Sequence, residues 1–152
     1  MPTARTAPGT GPADMAAIYA MPGHLIRRAH QVSTALFAEE CGKFGLTSVQ
    51  FAALYAVRAS GKLDATRLAE LIAFDRATIG DVLDRLEAKG WAARSGSPDD
   101  RRVKLIRLTA KGAALLKRAE PAVRQVQERL LAPLAPPDRE RFLALLSRLV
   151  LS

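Results

Sequence analysis

Residues 64–90 read DATRLAELIAFDRATIGDVLDRLEAKG, a stretch that holds two helices with almost nothing between them. Asp64 is placed to cap the first, ATRLAELI, whose Leu68, Leu71 and Ile72 form an apolar face. Ala73-Phe74 leads straight to a second cap at Asp75. The next helix, Arg76 to Lys89, places Ile79, Val82, Leu83 and Leu86 at i, i+3, i+4 and i+7 and stops at Gly90, as a helix end with a left-handed glycine does. Its other face carries Arg76, Ala77, Thr78, Gly80, Asp81, Asp84 and Arg85, small or hydrogen-bonding residues suited to approaching base edges in a major groove. This is the pattern of a helix-turn-helix. An amphipathic helical hairpin with a merely solvated polar face has the same periodicity, so the choice rests on the flanking sequence.

Downstream, residues 91–112 read WAARSGSPDDRRVKLIRLTAKG. Short runs at Trp91 to Arg94 and Val103 to Leu108 flank a turn-rich loop with Gly96, Pro98, Asp99 and Asp100, which predicts a β-hairpin. Arg101 and Arg102 sit beside Asp99 and Asp100, and a carboxylate neighbour holds a guanidinium in a fixed pose as well as neutralising it. A posed arginine suits a narrow, A·T-rich minor groove, although a charged hairpin turn with local ion pairs looks the same in sequence.

Upstream, Leu25, Ala29, Val32 and Leu36 recur at helical spacing from Pro22 until Gly42 and Gly45 stop the helix. Thr47 and Gln50 then have capping-box spacing ahead of Phe51, Leu54, Tyr55 and Val57, before a Ser60-Gly61 break. After Thr109 a long helix is expected, with Leu115, Leu116, Ala119, Val123, Val126 and Leu130 near heptad spacing and Pro121 as a kink point. Beyond Pro133, Pro136 and Pro137, residues Arg139 to Leu149 form a terminal amphipathic helix. Residues 1–18, opening MPTARTAPGTGPAD, are expected to be a disordered tail, with order beginning near Tyr19.

With 152 residues, 49% of them apolar, the chain suits one globular domain. Aromatics at 5% and scarce β-branched runs make it mostly α. The net charge of +8 suits a polyanionic partner. No apolar run nears the roughly 20 residues that span a bilayer, and residues 1–15 lack a signal-peptide core, so a cytoplasmic protein without membrane contact is expected. One cysteine, Cys41, and two histidines predict no disulfide, metal site or cofactor, and they form no recognisable catalytic arrangement. The near absence of aromatics for base stacking argues against single-stranded RNA.

Three segments, LTSVQFAAL, DRATIGDVLDRLEAKGW and SPDDRRVKLIRLTAKG, in that order, resemble the multiple antibiotic resistance regulator (MarR) family, and with the flanking helices the likeness runs from about Pro22 to Leu149. The resemblance implies a mostly α winged helix-turn-helix with a small β-hairpin wing and an intertwined helical dimerisation region. It implies a dimerisation helix at 19–45, a DNA-binding lobe at 46–110 and dimerisation helices at 111–152. Residues Arg76 to Arg85 become the recognition helix, with Arg76, Ala77, Thr78, Gly80 and Arg85 nearest the DNA, and Arg102 enters the minor groove steadied by Asp100. Asp81 departs from the commoner pattern, since it repels phosphate and suits a hydrogen bond from cytosine N4. The function implied is a homodimeric repressor on a near-palindromic operator of double-stranded DNA, its recognition helices roughly 34 Å apart. Packing agrees, because one short domain has no place to bury three amphipathic helices without a partner subunit.

Members of the family usually hold a small, often aromatic and anionic effector between the dimer helices and the DNA-binding lobe. His24, Arg27 and Arg28 in PGHLIRRAHQ are the expected effector residues, for an aromatic acid or its coenzyme A thioester, because arginine clamps a carboxylate. A solvated face or DNA-phosphate contacts for Arg27 and Arg28, and a satisfied interface histidine at His30, are the plainer readings. The alternative regulator is a thiol-based redox sensor using Cys41. Some peroxide-sensing relatives carry their reactive cysteine near the start of helix one, whereas Cys41 is at its end, which favours a packing thiol here.

Overall fold

The computed structural model describes residues 13–152, with side chains from Ala16 onward. The expected tail therefore falls partly outside the described residues, at 1–12, and is corrected in the rest: Ala13–Tyr19 is a helix, α1, that packs on the next one. Helix α2, Pro22–Cys41, starts with proline in its first turn, where the missing N–H costs no hydrogen bond. It passes through a 3-10 turn, Gly42–Phe44, to Gly45 in the left-handed region at φ 67°. Helix α3, Ser48–Ser60, opens with the expected capping box: Gln50 N donates to Thr47 Oγ1 at 3.2 Å and Thr47 N donates to Gln50 Oε1 at 3.1 Å. This pair also satisfies Gln50, the one buried polar residue among those described.

A strand absent from the sequence reading follows. Leu63–Asp64 forms β1, which pairs antiparallel with β3, Lys104–Leu108, through Leu63↔Ile106 and Asp64↔Leu105. Strand β2, Ala92–Gly96, pairs with the other edge of β3, from Ala92↔Leu108 to Gly96↔Lys104, giving a three-stranded sheet in the order β1-β3-β2. A two-residue strand has no periodicity to detect; only the neighbouring β3 makes it one. The hairpin strands also begin one residue later than predicted, and β2 runs on to Gly96. Asp64 serves twice, since its side chain accepts from Arg67 N at 2.7 Å and caps α4, Ala65–Leu71.

Helix α5 is Ile79–Ala88 and not Arg76 to Lys89. The carboxylate of Asp75 accepts from Ala77 N and Thr78 Oγ1, each at 3.2 Å, and its carbonyl from Ile79 N at 3.0 Å. These bonds hold Arg76–Thr78 in a turn that ends where Ile79 enters the core. Ala73 makes the bend from α4 with φ 52°, an unusual value for a residue with a Cβ.

Helix α6, Ala110–Leu131, runs through Pro121 and is capped by Thr109, whose Oγ1 accepts from Gly112 N at 3.0 Å. Helix α7 spans Pro136–Val150, three residues earlier than predicted. The core joins Leu54, Val57, Leu68, Leu83, Leu86 and Ile106 of the lobe to Leu115, Leu116, Ala119 and Val126 of α6 and to Phe37 and Cys41 at the end of α2. Arg129 locks that last contact, donating to Glu40 at 2.8 Å and Glu39 at 2.9 Å. The α2 start and α7 have no such cover: Leu25, Ile26, Val32, Phe142, Leu143, Leu145 and Leu149 are all exposed. No helix among the described residues is long and apolar enough to cross a membrane.

Candidate nucleic-acid interface

The start of α5 and the wing, residues 92–108, border an open cleft of about 550 Å³. From the predicted set, Arg76, Ala77, Gly80 and Arg102 line it; Thr66 and Lys104, which the sequence reading missed, line it too. Thr66 lies on the first turn of α4 and Lys104 opens β3, positions that only the tertiary fold brings beside α5. A Cβ built on Gly80 meets nothing within 4 Å, so this glycine leaves an opening on the face rather than room for a packing neighbour. Thr78, Asp81, Arg85, Asp100 and Arg101 are exposed but lie outside the cleft lining. Thr78 spends its hydroxyl on Asp75.

Arg102 has its side chain 93% exposed. Asp100 steadies it differently from the expectation, because the carboxylate accepts from the backbone N of Arg102 at 3.0 Å while the guanidinium Nε stays 3.9 Å away. Ser97 N donating to Val103 O at 2.8 Å and Val103 N to Asp100 O at 3.0 Å close the same loop. The wing tip is thus held through its backbone, and the Arg102 head is left to an outside acceptor.

Of the three carboxylates on α5, Asp81, Asp84 and Glu87, the wing pairs with the last two and offsets one unit of their charge, while Asp81 stays exposed. Arg94 of β2 donates to Asp84 and, at 2.9 Å, to Glu87. The bonds to Glu87 and then Asp84 hold its guanidinium above the usual arginine value. This clamp also fixes the wing to the helix. Arg76 pairs with Glu70 and gives up that exposed contact at little cost when a phosphate competes.

The expected effector residues meet one another but not the lobe. Arg28 lies 5.4 Å from the Tyr19 ring centroid, the His24 and Tyr19 rings meet edge-on at 5.5 Å, and Arg27 reaches His24 Nδ1 at 3.5 Å. At about 1.5 Å per helical residue, some 14–20 Å of α2 separates Arg28 and His24 from Phe37, where the core begins. His30 is exposed, and its carbonyl accepts from Thr34 Oγ1 at 2.8 Å. A second group, missed in sequence, sits between α3 and α6, where Phe51, Tyr55, Arg58, Glu120, Val123 and Arg124 line a cleft of about 300 Å³. Tyr55 was read as part of an apolar face, yet it is 49% exposed. Arg58 stands 4.8 Å over its ring and donates to Glu120 at 2.9 Å. The i, i+3 spacing of Tyr55 and Arg58 was the available signal. Cys41 is fully buried, and burial, then Glu40, pushes its thiol up, with Lys43 opposing.

Residues 46–104 match the MarR family model. The chain is 35% identical over 148 residues to the HTH-type transcriptional repressor NicR of Pseudomonas putida, covering 96% of this chain and 94% of that protein. Among solved structures, it resembles BpsR of Bordetella bronchiseptica, whose DNA binding is regulated by 6-hydroxynicotinic acid, with 34% identity, TM-score 0.80 and coverage of 86% of this chain and 93% of that one. It also resembles Escherichia coli MarR complexed with operator DNA, with 27% identity, TM-score 0.78 and coverage of 84% and 92%. With a winged helix-turn-helix along its middle and a likeness to a family repressor along nearly its whole length, the chain belongs to the MarR family of transcriptional regulators.

Proposed function

We propose that the protein is a homodimeric repressor that binds a near-palindromic operator and leaves it when a small aromatic acid binds. The observation that carries the DNA reading is the open basic cleft between α5 and the wing, in which Arg76, Arg102 and Lys104 surround the small residues Ala77 and Gly80. Ala77 and Gly80 admit the groove wall, Arg76 and Lys104 meet phosphates, and the free Arg102 head enters the minor groove. Asp81 and Arg85 extend the reading surface along α5, and Thr78, Asp100 and Arg101 support its ends.

The dimer is the arrangement that covers the exposed apolar residues of α2 and α7 with a second copy. It also resolves the effector site. His24, Arg27 and Arg28 stand too far along α2 to reach their own lobe, so they close over the Phe51–Tyr55–Arg58–Arg124 cleft of the partner. The aromatic ring of the ligand lies against Tyr55, and Arg58, Arg124 and Arg28 take its carboxylate. A cleft of about 300 Å³ is at the small end for ligand sites, which favours the free acid over its coenzyme A thioester. The likeness to BpsR supports a heteroaromatic acid of the 6-hydroxynicotinic kind. Such a ligand weakens DNA binding only through its preference for a lobe spacing that does not match the operator.

Fluorescence anisotropy on the DNA upstream of the gene, at two salt concentrations and with a panel of aromatic acids including 6-hydroxynicotinic acid, tests both parts. Salt-sensitive binding released by one acid is expected, as is a blunted release in Arg28→Ala with DNA affinity kept. An Arg28→Ala variant that loses DNA binding while keeping ligand affinity overturns the effector assignment.

A further inference from the structure

A second cleft, of about 360 Å³, lies at the other end of α5. Three elements meet there: Phe44 of the 3-10 turn, Lys89 and Trp91 just after α5, and Lys111, Leu115 and Arg118 on one face of α6 at i, i+4 and i+7. No carboxylate lines it. Among the described residues, neither Lys89, Lys111, Arg118 nor the adjacent Lys43 is within salt-bridge distance of an acid. Lys89 is held in place, its Nζ donating to Gly45 O at 2.6 Å and standing 4.5 Å from the centroid of the buried Trp91 ring. Lys111 passes beside Gly90, where a built Cβ would make ordinary contact with its Cδ at 3.6 Å, and the φ of +72° there is one that glycine adopts freely.

Cations gathered without a counter-charge repel one another, and the arrangement is most stable with an anion between them. Ammonium groups from two elements and a guanidinium with free donors match the several oxygens of a phosphate. We propose that this cleft is a phosphate-group site, with Lys111 and Arg118 holding the anion and Lys89 shared between it and the Trp91 face. An anion there ties the end of α5 to α6 and the α2 turn. Its effect on operator affinity rests on α5 being the DNA-reading helix, but its binding does not.

Trp91 is the only tryptophan, so its emission reports on this cleft. The probe is pyrophosphate titrated against sodium chloride of matched ionic strength. A saturable change is expected with pyrophosphate for the native chain and for Lys117→Gln, a neighbouring charge outside the lining. The Lys111→Gln/Arg118→Gln double variant, shown to be folded by far-UV circular dichroism, should bind at least tenfold more weakly. An equal response to chloride, or an unchanged response in the double variant, overturns the site. A duplex titration separates the sources of phosphate: a Trp91 change that needs Lys111 and Arg118 assigns the group to DNA backbone, and duplex binding without it assigns the group to a free anion. Operator binding by the native chain with no pyrophosphate or duplex response at Trp91 overturns this site and leaves the repressor reading standing.

Discussion

Gly112 lies in the first turn of α6, a place where helix propensity alone favours alanine by about 1 kcal/mol. The packing reverses that sign. A Cβ built on Gly112 falls on the Trp91 carbonyl oxygen, well inside contact distance, with the carbonyl carbon at 2.9 Å and Leu108 Cδ1 at 3.0 Å. The obstacle is backbone and is pinned, because Trp91 O accepts from Thr109 N at 3.1 Å and Thr109 Oγ1 donates to Gly90 O at 2.6 Å. Relief requires either the start of α6 or the β2 start to shift, and the latter carries the wing. Overpacking against a rigid neighbour costs roughly 3 kcal/mol, which less the propensity gain leaves a net loss of about 2 kcal/mol for Gly112→Ala. For a chain of this size that is a fall of about 1 M in the urea midpoint, or roughly 4–8 °C in Tm. The assay is urea unfolding followed by circular dichroism at one fixed protomer concentration, since dimer stability depends on it. A Gly112→Ala protein as stable as the native chain, or more so, would refute the packing argument and leave propensity as the governing effect.

Arg102→Ala should weaken operator binding by about 1–3 kcal/mol and shrink the preference for A·T-rich over G·C-rich flanks, read as the ratio of Kd values on the two duplexes. Equal losses on both would make Arg102 a phosphate contact only. Ala73→Gly should stabilise the fold by roughly 0.5–1 kcal/mol in urea unfolding, as relief of a positive φ of 52° outweighs the added chain entropy; a lower midpoint would contradict this. Cys41 should resist thiol reagents and mild peroxide in the native state and react once urea unfolds the chain, whereas prompt native oxidation would revive the redox reading. The folded thiol also keeps a proton that the unfolded one releases first. Its contribution to stability is therefore full below pH 9.0 and lost as pH climbs through the higher folded value, a decline that Cys41→Ala should lack.

Much of the local structure is legible in the chain itself, because it depends on residues within one helical turn. Thr47 with Gln50, Asp64, Thr109 and the left-handed Gly45 and Gly90 mark helix ends through contacts spanning a few residues, and the apolar spacing of Ile79, Leu83 and Leu86 fixes which side of α5 is buried. Short-range signals also mislead at short range. Asp75 is the expected cap, but the N-cap of α5 is Thr78; the bonds of Asp75 to Ala77 and Thr78 close a turn first, so Arg76 precedes α5 instead of riding on it. What depends on distant pairing was out of reach: β1 exists because β3 supplies its partner, Arg94 reaches Asp84 and Glu87 because the wing folds back, and Thr66 and Lys104 join the interface through the sheet. Sequence determined the caps of α3, α4 and α6, the buried face of α5 and the family. Tertiary structure decided which charges are already paired and which stand free, since pairing is settled by ångströms between elements far apart in the chain, and so it alone separated Arg94, a clamp, from Arg102, a free hand.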